Sequence, residues 1–142
     1  MLTIDYFKKI NCPIKKELLE KTVKFFSSET KCKFIAAEVA IIGDNEMKRL
    51  NYQYRGRNKT TDVLSFAFRE DKKIKTDFLG QIFISYQQIK KQAKEYGVPI
   101  KEEFVRMLAH GLLHLTGYDH NTKTKEKKMF EIQEKIVKKT LL

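Results

Sequence analysis

The sequence predicts an α+β fold in which one sheet of roughly four strands is packed with helices. The 142 residues suit a single domain, residues 1–142, with one buried core. Apolar residues repeat with period two in some segments and with helical period in others. In chain order these segments read β-α-β-α-β-β-α-α-α, so helices dominate the carboxyl-terminal part.

The first half of the chain contains two strand segments and two helical segments. A strand near LTIDY precedes a helix from about Ile14, and KFIAAEVAII alternates as a second strand until GDN interrupts it. Asp44 in that interruption is suited to cap the next helix, which ends near YRGRN. Apolar residues recur at helical spacing on both helices: Leu19, Val23 and Phe26 on the first, and Met47, Leu50 and Tyr54 on the second.

The second half contains two strands followed by three helices. The segments DVLSFAF and GQIFIS are separated by the charged turn REDKKIKTD, and we expect them to pair as neighbours in the sheet. One helix begins near Ser85 and stops at YGVP, another begins just after Pro99, and the last spans about residues 123–140. Apolar positions at helical spacing are Ile89, Ala93 and Tyr96 in the first, and Met129, Ile132, Ile136 and Val137 in the last.

The net charge of +11, from 29 basic and 18 acidic residues, indicates a polyanionic partner such as RNA. Residues 53–75 and residues 121–142 each hold seven basic and three acidic groups, whereas residues 76–120 hold five of each. The excess therefore flanks the segment that contains the histidines. A lysine-rich background composition is the alternative explanation.

The cysteines and the apolar segments indicate a cytoplasmic protein with no membrane partner. Cys12 and Cys32 form neither a disulfide framework nor a CxxC metal pair, so we expect reduced thiols. The opening segment lacks an apolar stretch of signal-peptide length, and the run FIAAEVAIIG is short and carries Glu38.

All three histidines lie within HGLLHLTGYDH, residues 110–120. On a helix His110 and His114 are one turn apart on the same side, opposite the main aliphatic stripe. We therefore expect a central, largely buried helix whose two imidazoles need partners. Gly117 can adopt the left-handed conformation that ends a helix, so that the chain turns back and brings His120 beside the pair.

Three converging imidazoles are suited to one divalent transition metal, zinc above all, with the fourth position open as in catalytic sites. Two other arrangements stay open: two core histidines that coincide with a surface histidine, or a structural zinc, although closed sites normally use four ligands that include cysteine. The spacing is also that of the metzincin proteases, whose glutamate base follows the first histidine. Gly111 stands at that position, which disfavours a peptidase.

Three segments, HGLLHLTGYDH, LNYQYRGRNKTTDVLSFAF and FLGQIFIS, resemble the YbeY family of metal-dependent single-strand endoribonucleases linked to ribosomal RNA maturation. The resemblance runs from about Leu50 to His120, and the flanking residues match in arrangement and length. It implies a mixed four-stranded sheet packed with helices. It also implies action at the 3′ end of 16S rRNA, a part in ribosome quality control, and contact with the small ribosomal subunit.

The resemblance implies a role for each of four residues. The family's metal-binding histidines fall on His110, His114 and His120, of which we also assign His114 to catalysis. The arginine of its Y-R-G stretch falls on Arg55, and the resemblance implies that this residue acts in RNA cleavage. A guanidinium can bind a phosphate through two N–H groups and stabilise charge in the transition state. A solvated loop arginine, as expected for Arg57, is the alternative.

Other polar residues near these motifs have two interpretations each. Asp62 and Ser65 could orient the site or serve as cap and strand residues, and Asp119 could orient His120 or serve the following turn. Two positions differ from the family. Thr60 stands where proline is common, and Gln81 stands where an acidic residue is common, so that a carboxylate is missing there.

The sequence thus predicts a zinc-dependent endoribonuclease that cuts single-stranded RNA in ribosomal RNA processing, with one zinc ion per chain. Arg55 would hold the phosphate, while lysines of residues 53–75 and of the last helix would guide the strand. The alternatives are a metal-stabilised RNA-binding or ribosome-binding factor without turnover, and a metallohydrolase of another substrate.

Overall fold

The computed structural model describes residues 2–32, 35–68 and 78–142. Within them the chain forms β1 (Leu2–Lys8), α1 (Lys16–Thr30), β2 (Ile35–Ile42), α2 (Asp44–Arg55), β3 (Val63–Ala67), β4 (Phe78–Ser85), α3 (Tyr86–Tyr96), α4 (Ile100–Leu115) and α5 (Lys123–Leu141). This confirms the predicted α+β class and the predicted order of elements. The turn REDKKIKTD, residues 69–77, lies outside the described residues.

The four strands form one mixed sheet in the order β1-β2-β4-β3. The pairs β1–β2 and β2–β4 are parallel, and β3 pairs antiparallel with β4, as expected for neighbours in the sequence. Strand β3 is therefore at one edge of the sheet, and it packs against α4. This order places an edge strand beside the helix that carries two of the histidines.

Helix α4 is central to the core, as predicted. It contacts α1, α3 and α5 as well as β3 and β4. The side chains that it buries completely include Phe104, Leu108, Ala109, Leu112 and Leu113. Burial of a large apolar side chain stabilises a fold by about 1.5–3 kcal/mol, so these contacts hold the helix firmly against its neighbours.

Helix α5 is the longest of the described helices, with 19 residues. It packs against α1 and α4 and buries Met129, Ile136 and Val137. Its first turns are exposed and rich in lysine. None of the helices in the described ranges is both long enough and apolar enough to cross a membrane.

The face of the sheet opposite α4 carries a smaller apolar cluster at α2: Ala40, Ile42, Met47 and Leu64. Two residues that the helical spacing placed on packed faces are exposed instead, Tyr54 by 59% and Tyr96 by 67%. Both lie in the final turn of their helices. Spacing alone identifies the face of a helix, and it does not show where along the helix the packing ends.

Asp44 does not cap α2, so that prediction was wrong. The cap position is Gly43, whose backbone is extended, and Asp44 is the first helical residue. Its carboxylate accepts hydrogen bonds from the hydroxyl of Ser85 at 2.7 Å and the amide of Gln88 at 3.2 Å. The backbone N–H of Asp44 donates to the side chain of Gln87. Contacts with the start of α3 therefore replace the local cap.

Candidate metal centre

Helix α4 places His110 and His114 on the same side, one turn apart. Both rings are half-buried, and their Nε2 atoms lie 3.1 Å apart. Two nitrogen ligands of a tetrahedral zinc ion lie about 3.3 Å apart when each bond is about 2.0 Å long. The helix therefore holds two nitrogens at a separation that suits a single metal ion.

The chain reverses after α4 and brings back the third histidine. Gly117 follows the end of the helix with φ 97°, a positive value that favours glycine. In this turn the backbone N–H of Tyr118 donates to the carbonyl of Leu113. As a result, the ring of His120 lies 5.3 Å from the ring of His114 between ring centres.

The structure brings His110, His114 and His120 together, because their possible ligand atoms all lie within 4.8 Å of one another. His120 is exposed, so the cluster is open on one side. Neither Cys12 nor Cys32 belongs to this group among the residues that the structure describes. Three nitrogen donors with an open side fit a catalytic zinc site better than a closed structural one.

The surroundings of His114 favour its neutral form. Burial lowers the pKa of its imidazole, and the neighbouring His110 and His120 lower it further. A hydrogen bond to the backbone of Tyr118 and the charge of Asp119 act in the opposite direction. Metals bind neutral imidazole, so this direction of the pKa shift suits a metal-binding role.

Gln133 on α5 contacts the cluster, and reasoning from the sequence missed it. Its Oε1 lies 2.9 Å from Nδ1 of His110, and the residue is only 6% exposed. The signal in the sequence is a glutamine at helical spacing between the buried Met129 and Ile136. A buried amide needs hydrogen-bond partners, but only the packing of α5 on α4 identifies this partner as a histidine.

Arg55, the last residue of α2, lies at the same groove as the histidines. This groove, about 590 Å³ in volume, is lined by all three histidines and by residues of β3. Nη2 of Arg55 donates to the backbone carbonyl of Ser65 at 3.0 Å, and the guanidinium lies over the ring of Phe66. The side chain is otherwise exposed, so several of its five N–H groups remain available to an anion.

Arg57 lies in an adjoining cleft, which it lines together with Arg55 and Lys59. The buried Asn51 donates from Nδ2 to the backbone carbonyl of Lys59 at 2.8 Å and so holds this loop. Arg57 is not among the residues that line the histidine groove. The two arginines of YRGR therefore differ in position, although their charges are equal.

The two aspartates at the groove have hydrogen-bond partners of their own. Asp62 accepts hydrogen bonds from the backbone N–H of Val63 and from the amide of Gln92. Asp119 accepts from the backbone N–H of Asn121. Both carboxylates line the groove, but these bonds connect Asp62 to the start of β3 and to α3, and Asp119 to the turn before α5.

Gly111 follows His110 at a position that faces the sheet. A Cβ atom there would lie 3.1 Å from Cγ2 of Ile82 and 3.1 Å from the hydroxyl of Ser65. Any side chain at this position would begin in tight contact with β4 and β3. The chain has no glutamate base of the metzincin type at this position, and the close packing of α4 on the sheet favours glycine there.

Gln81 lies on the face of the sheet away from the histidines. Its neighbour Ile82 faces α4, and successive residues of a strand point to opposite faces. Nε2 of Gln81 donates to Oε2 of Glu38 on β2 at 2.8 Å. The carboxylate that is missing at this position therefore does not remove a base from the histidine groove.

Known proteins resemble this one over nearly the whole chain. The sequence model of a family described as Endoribonuclease YbeY matches residues 5–141. A protein of that name from Thermodesulfovibrio yellowstonii is 43% identical over 105 residues, which cover 73% of this chain and 66% of that protein. Another of that name, from Malacoplasma penetrans, is 39% identical over 122 residues, which cover 85% of this chain and 81% of that protein.

The fold also resembles a solved structure. A solution structure of a protein from Thermotoga maritima matches with a TM-score of 0.68 and 28% sequence identity. The match covers 97% of this chain and 89% of that chain. The α+β arrangement described above is therefore shared along almost the full length of both.

Proposed function

The chain belongs to the endoribonuclease YbeY family, and we propose that it is a zinc-dependent endoribonuclease that cuts single-stranded RNA during ribosomal RNA maturation. Family membership supports RNA hydrolysis as the activity. The observation that carries the proposal is the convergence of three histidines in one groove with Arg55.

His110, His114 and His120 would hold one zinc ion per chain through ring nitrogens. Zinc accepts imidazole ligands readily; when bound, it polarises a phosphoryl oxygen and lowers the pKa of water. The ring of His114 lies closer to each of the other two rings than they lie to each other, at 4.5 and 5.3 Å against 6.2 Å. We therefore place His114 at the centre of the catalytic site.

Arg55 would bind the phosphate of the bond that is cut. One N–H group of its guanidinium donates to the backbone carbonyl of Ser65, and the guanidinium lies over the ring of Phe66. These two contacts would orient the group. The remaining donors suit a phosphate bound at two points. Placed beside the histidines, they would also stabilise the charge that grows on the phosphate in the transition state.

Exposed cations on two elements would guide the RNA strand towards the groove. Arg57 and Lys59 lie in the adjoining cleft, and the first turns of α5 expose Lys123, Lys125, Lys127 and Lys128. The net charge of +11 favours RNA at long range. We propose the 3′ end of 16S rRNA on the small ribosomal subunit, in the cytoplasm, as the place of action, with a related part in ribosome quality control.

A cleavage assay with removal of the metal tests this proposal. Protein stripped by a chelator, and the same protein reloaded with zinc, are incubated with a defined single-stranded RNA and with that RNA in a duplex. We expect cleavage of the single strand only, which is lost on stripping and restored by zinc. Salt-sensitive RNA binding without cleavage by the zinc-loaded protein would instead indicate a binding factor without turnover.

A further inference from the structure

A chain of hydrogen bonds connects the histidine cluster to an ion-pair network between α4 and α5. Nδ1 of His110 lies 2.9 Å from Oε1 of Gln133, and Nε2 of Gln133 donates to Oε2 of Glu134 at 3.2 Å. Glu134 in turn accepts from Nε and Nη2 of Arg106, each at 3.0 Å. The histidine is thus linked through two side chains to a guanidinium that binds a carboxylate at two points.

Arg106 is held by its own helix. It donates from Nη1 to Glu103 at 2.9 Å and from Nη2 to Glu102 at 3.2 Å. Glu103 is only 1% exposed, and a carboxylate so deeply buried is stable only when it is paired. Arg106 therefore cannot turn away without leaving a buried charge, and Glu134 is fixed with it.

The network defines the direction of each hydrogen bond. An ionised carboxylate can only accept, so the NH₂ end of Gln133 faces Glu134 and its carbonyl end faces His110. Nδ1 of His110 must then donate. Neutral imidazole carries a single ring proton, so Nε2 of His110 keeps its lone pair, and this atom faces Nε2 of His114 at 3.1 Å.

Packing alone does not account for a glutamine at position 133. The residue lies in line with the buried Met129 and Ile136 of α5, where an apolar side chain would fill the space without burying an amide. Burial of an amide is unfavourable unless it is hydrogen-bonded. Here both ends of the amide are bonded, one to the charged network and the other to a histidine of the cluster.

We propose that Gln133 is a positioning residue that stabilises the Nδ1–H tautomer of His110 and directs Nε2 of that ring into the metal-binding cluster. This inference rests on the proposed metal site and adds how one of its ligands is oriented. Partners that hold a ligating histidine in this way typically change metal affinity by about 10- to 100-fold.

Three variants separate positioning from packing. Gln133→Leu keeps the volume of the side chain and removes both hydrogen bonds. The exchange Gln133→Glu with Glu134→Gln keeps the charge and restores an acceptor for Nδ1 of His110. Ile136→Ala is the matched control, because it opens a cavity on the same helix without touching the histidine.

Zinc affinity, measured by competition with a chromophoric chelator, is the first measurement. We expect zinc affinity to be about 10- to 100-fold weaker for Gln133→Leu. We expect the exchange variant to keep most of the affinity of the unaltered protein, and Ile136→Ala to keep all of it. Equal zinc affinity for Gln133→Leu and the unaltered protein would overturn the positioning role while leaving the metal site intact. An equal loss for Ile136→Ala would overturn it too, since it would reflect helix packing alone.

The tautomer of His110, read from imidazole ¹⁵N shifts of the metal-free protein, is the second measurement. We expect Nδ1–H in the unaltered protein and in the exchange variant, and a mixture of tautomers in Gln133→Leu. An Nε2–H tautomer in the unaltered protein would contradict the inference. This measurement needs neither bound metal nor cleavage, so it decides whether Gln133 sets the tautomer of His110 even if the proposed function fails.

Discussion

The two parts of the candidate site are held in different ways. The ring of His110 is half-buried on a central helix and is hydrogen-bonded by the buried Gln133. Arg55 is exposed at the end of α2, with one hydrogen bond to the backbone of Ser65 and a contact with Phe66. Metal ligands need fixed geometry, whereas a side chain that binds phosphate has to adjust to its substrate. The two parts should therefore respond differently to substitution.

Removal of His114 should have the largest effect. We expect His114→Ala to lose both its zinc and its cleavage activity, down to the level of the metal-stripped protein, because two remaining nitrogens hold zinc poorly. Metal content by elemental analysis and single-turnover cleavage measure the two losses. Full activity in a protein that has lost its zinc would show that cleavage does not need the zinc bound by the histidines.

Removal of Arg55 should reduce the rate without removing the metal. Loss of one donor directed at developing charge typically lowers the rate by about 10²- to 10³-fold. We expect Arg55→Ala to show this loss in single-turnover cleavage, with zinc content unchanged and RNA affinity reduced far less.

Arg57→Ala is the control for Arg55→Ala, since Arg57 has the same charge and lies in the adjoining cleft. We expect it to change affinity and to leave the rate at saturating enzyme nearly unchanged. Similar, modest losses of rate for both variants would mean that residues 55–57 supply only general positive charge.

A methyl group at Gly111 should test how tightly α4 must approach the sheet. In an ordinary helix interior, replacement of glycine by alanine stabilises by about 1 kcal/mol. At Gly111 the added Cβ would meet Ile82 and Ser65 at 3.1 Å, and overpacking of this kind costs about 1–3 kcal/mol. We therefore expect Gly111→Ala to lower the free energy of unfolding in urea. An increase in stability would show that the contact between α4 and the sheet is loose.

The smallest expected effect concerns the flanking charge. RNA affinity should fall steeply with salt concentration, because each phosphate that is neutralised releases counterions. Arg57→Ala should reduce the slope of log affinity against log salt by about one, as measured from binding isotherms at several salt concentrations. A flat dependence would mean that the charge of +11 is only solvated lysine.

Much of the fold could be predicted because it depends on local periodicity. The order of helices and strands and the central place of α4 follow from apolar spacing, and the pairing of β3 with β4 follows from the turn that joins them; all three predictions are confirmed. Asp44 and Tyr96 show the limit of this reasoning. The carboxylate of Asp44 accepts hydrogen bonds from Ser85, at the end of β4, and from Gln88 on α3, and Tyr96 is exposed at the end of its helix. The partners of Asp44 are distant in the sequence, and the exposure of Tyr96 depends on where the packing of its helix ends. Neither can be read from local spacing.

The candidate site shows the same division. The spacing of His110 and His114 and the glycine after them are local features, so the convergence of the three histidines could be expected from one short segment. Gln133 lies on another helix, and nothing in the sequence pairs it with His110 rather than with any other buried group. Contacts between elements that are remote in the chain therefore escaped prediction.

The metal content of the native protein shows most directly whether the three histidines form a metal centre. Protein purified without added metal and without a metal-binding tag is subjected to elemental analysis, beside His114→Ala prepared in the same way. The three convergent histidines predict about one divalent ion per chain, with zinc as the preferred metal. His114→Ala should lose this ion. Native protein that carries no metal, and that binds none when zinc is supplied, would show that the three histidines do not form a metal centre.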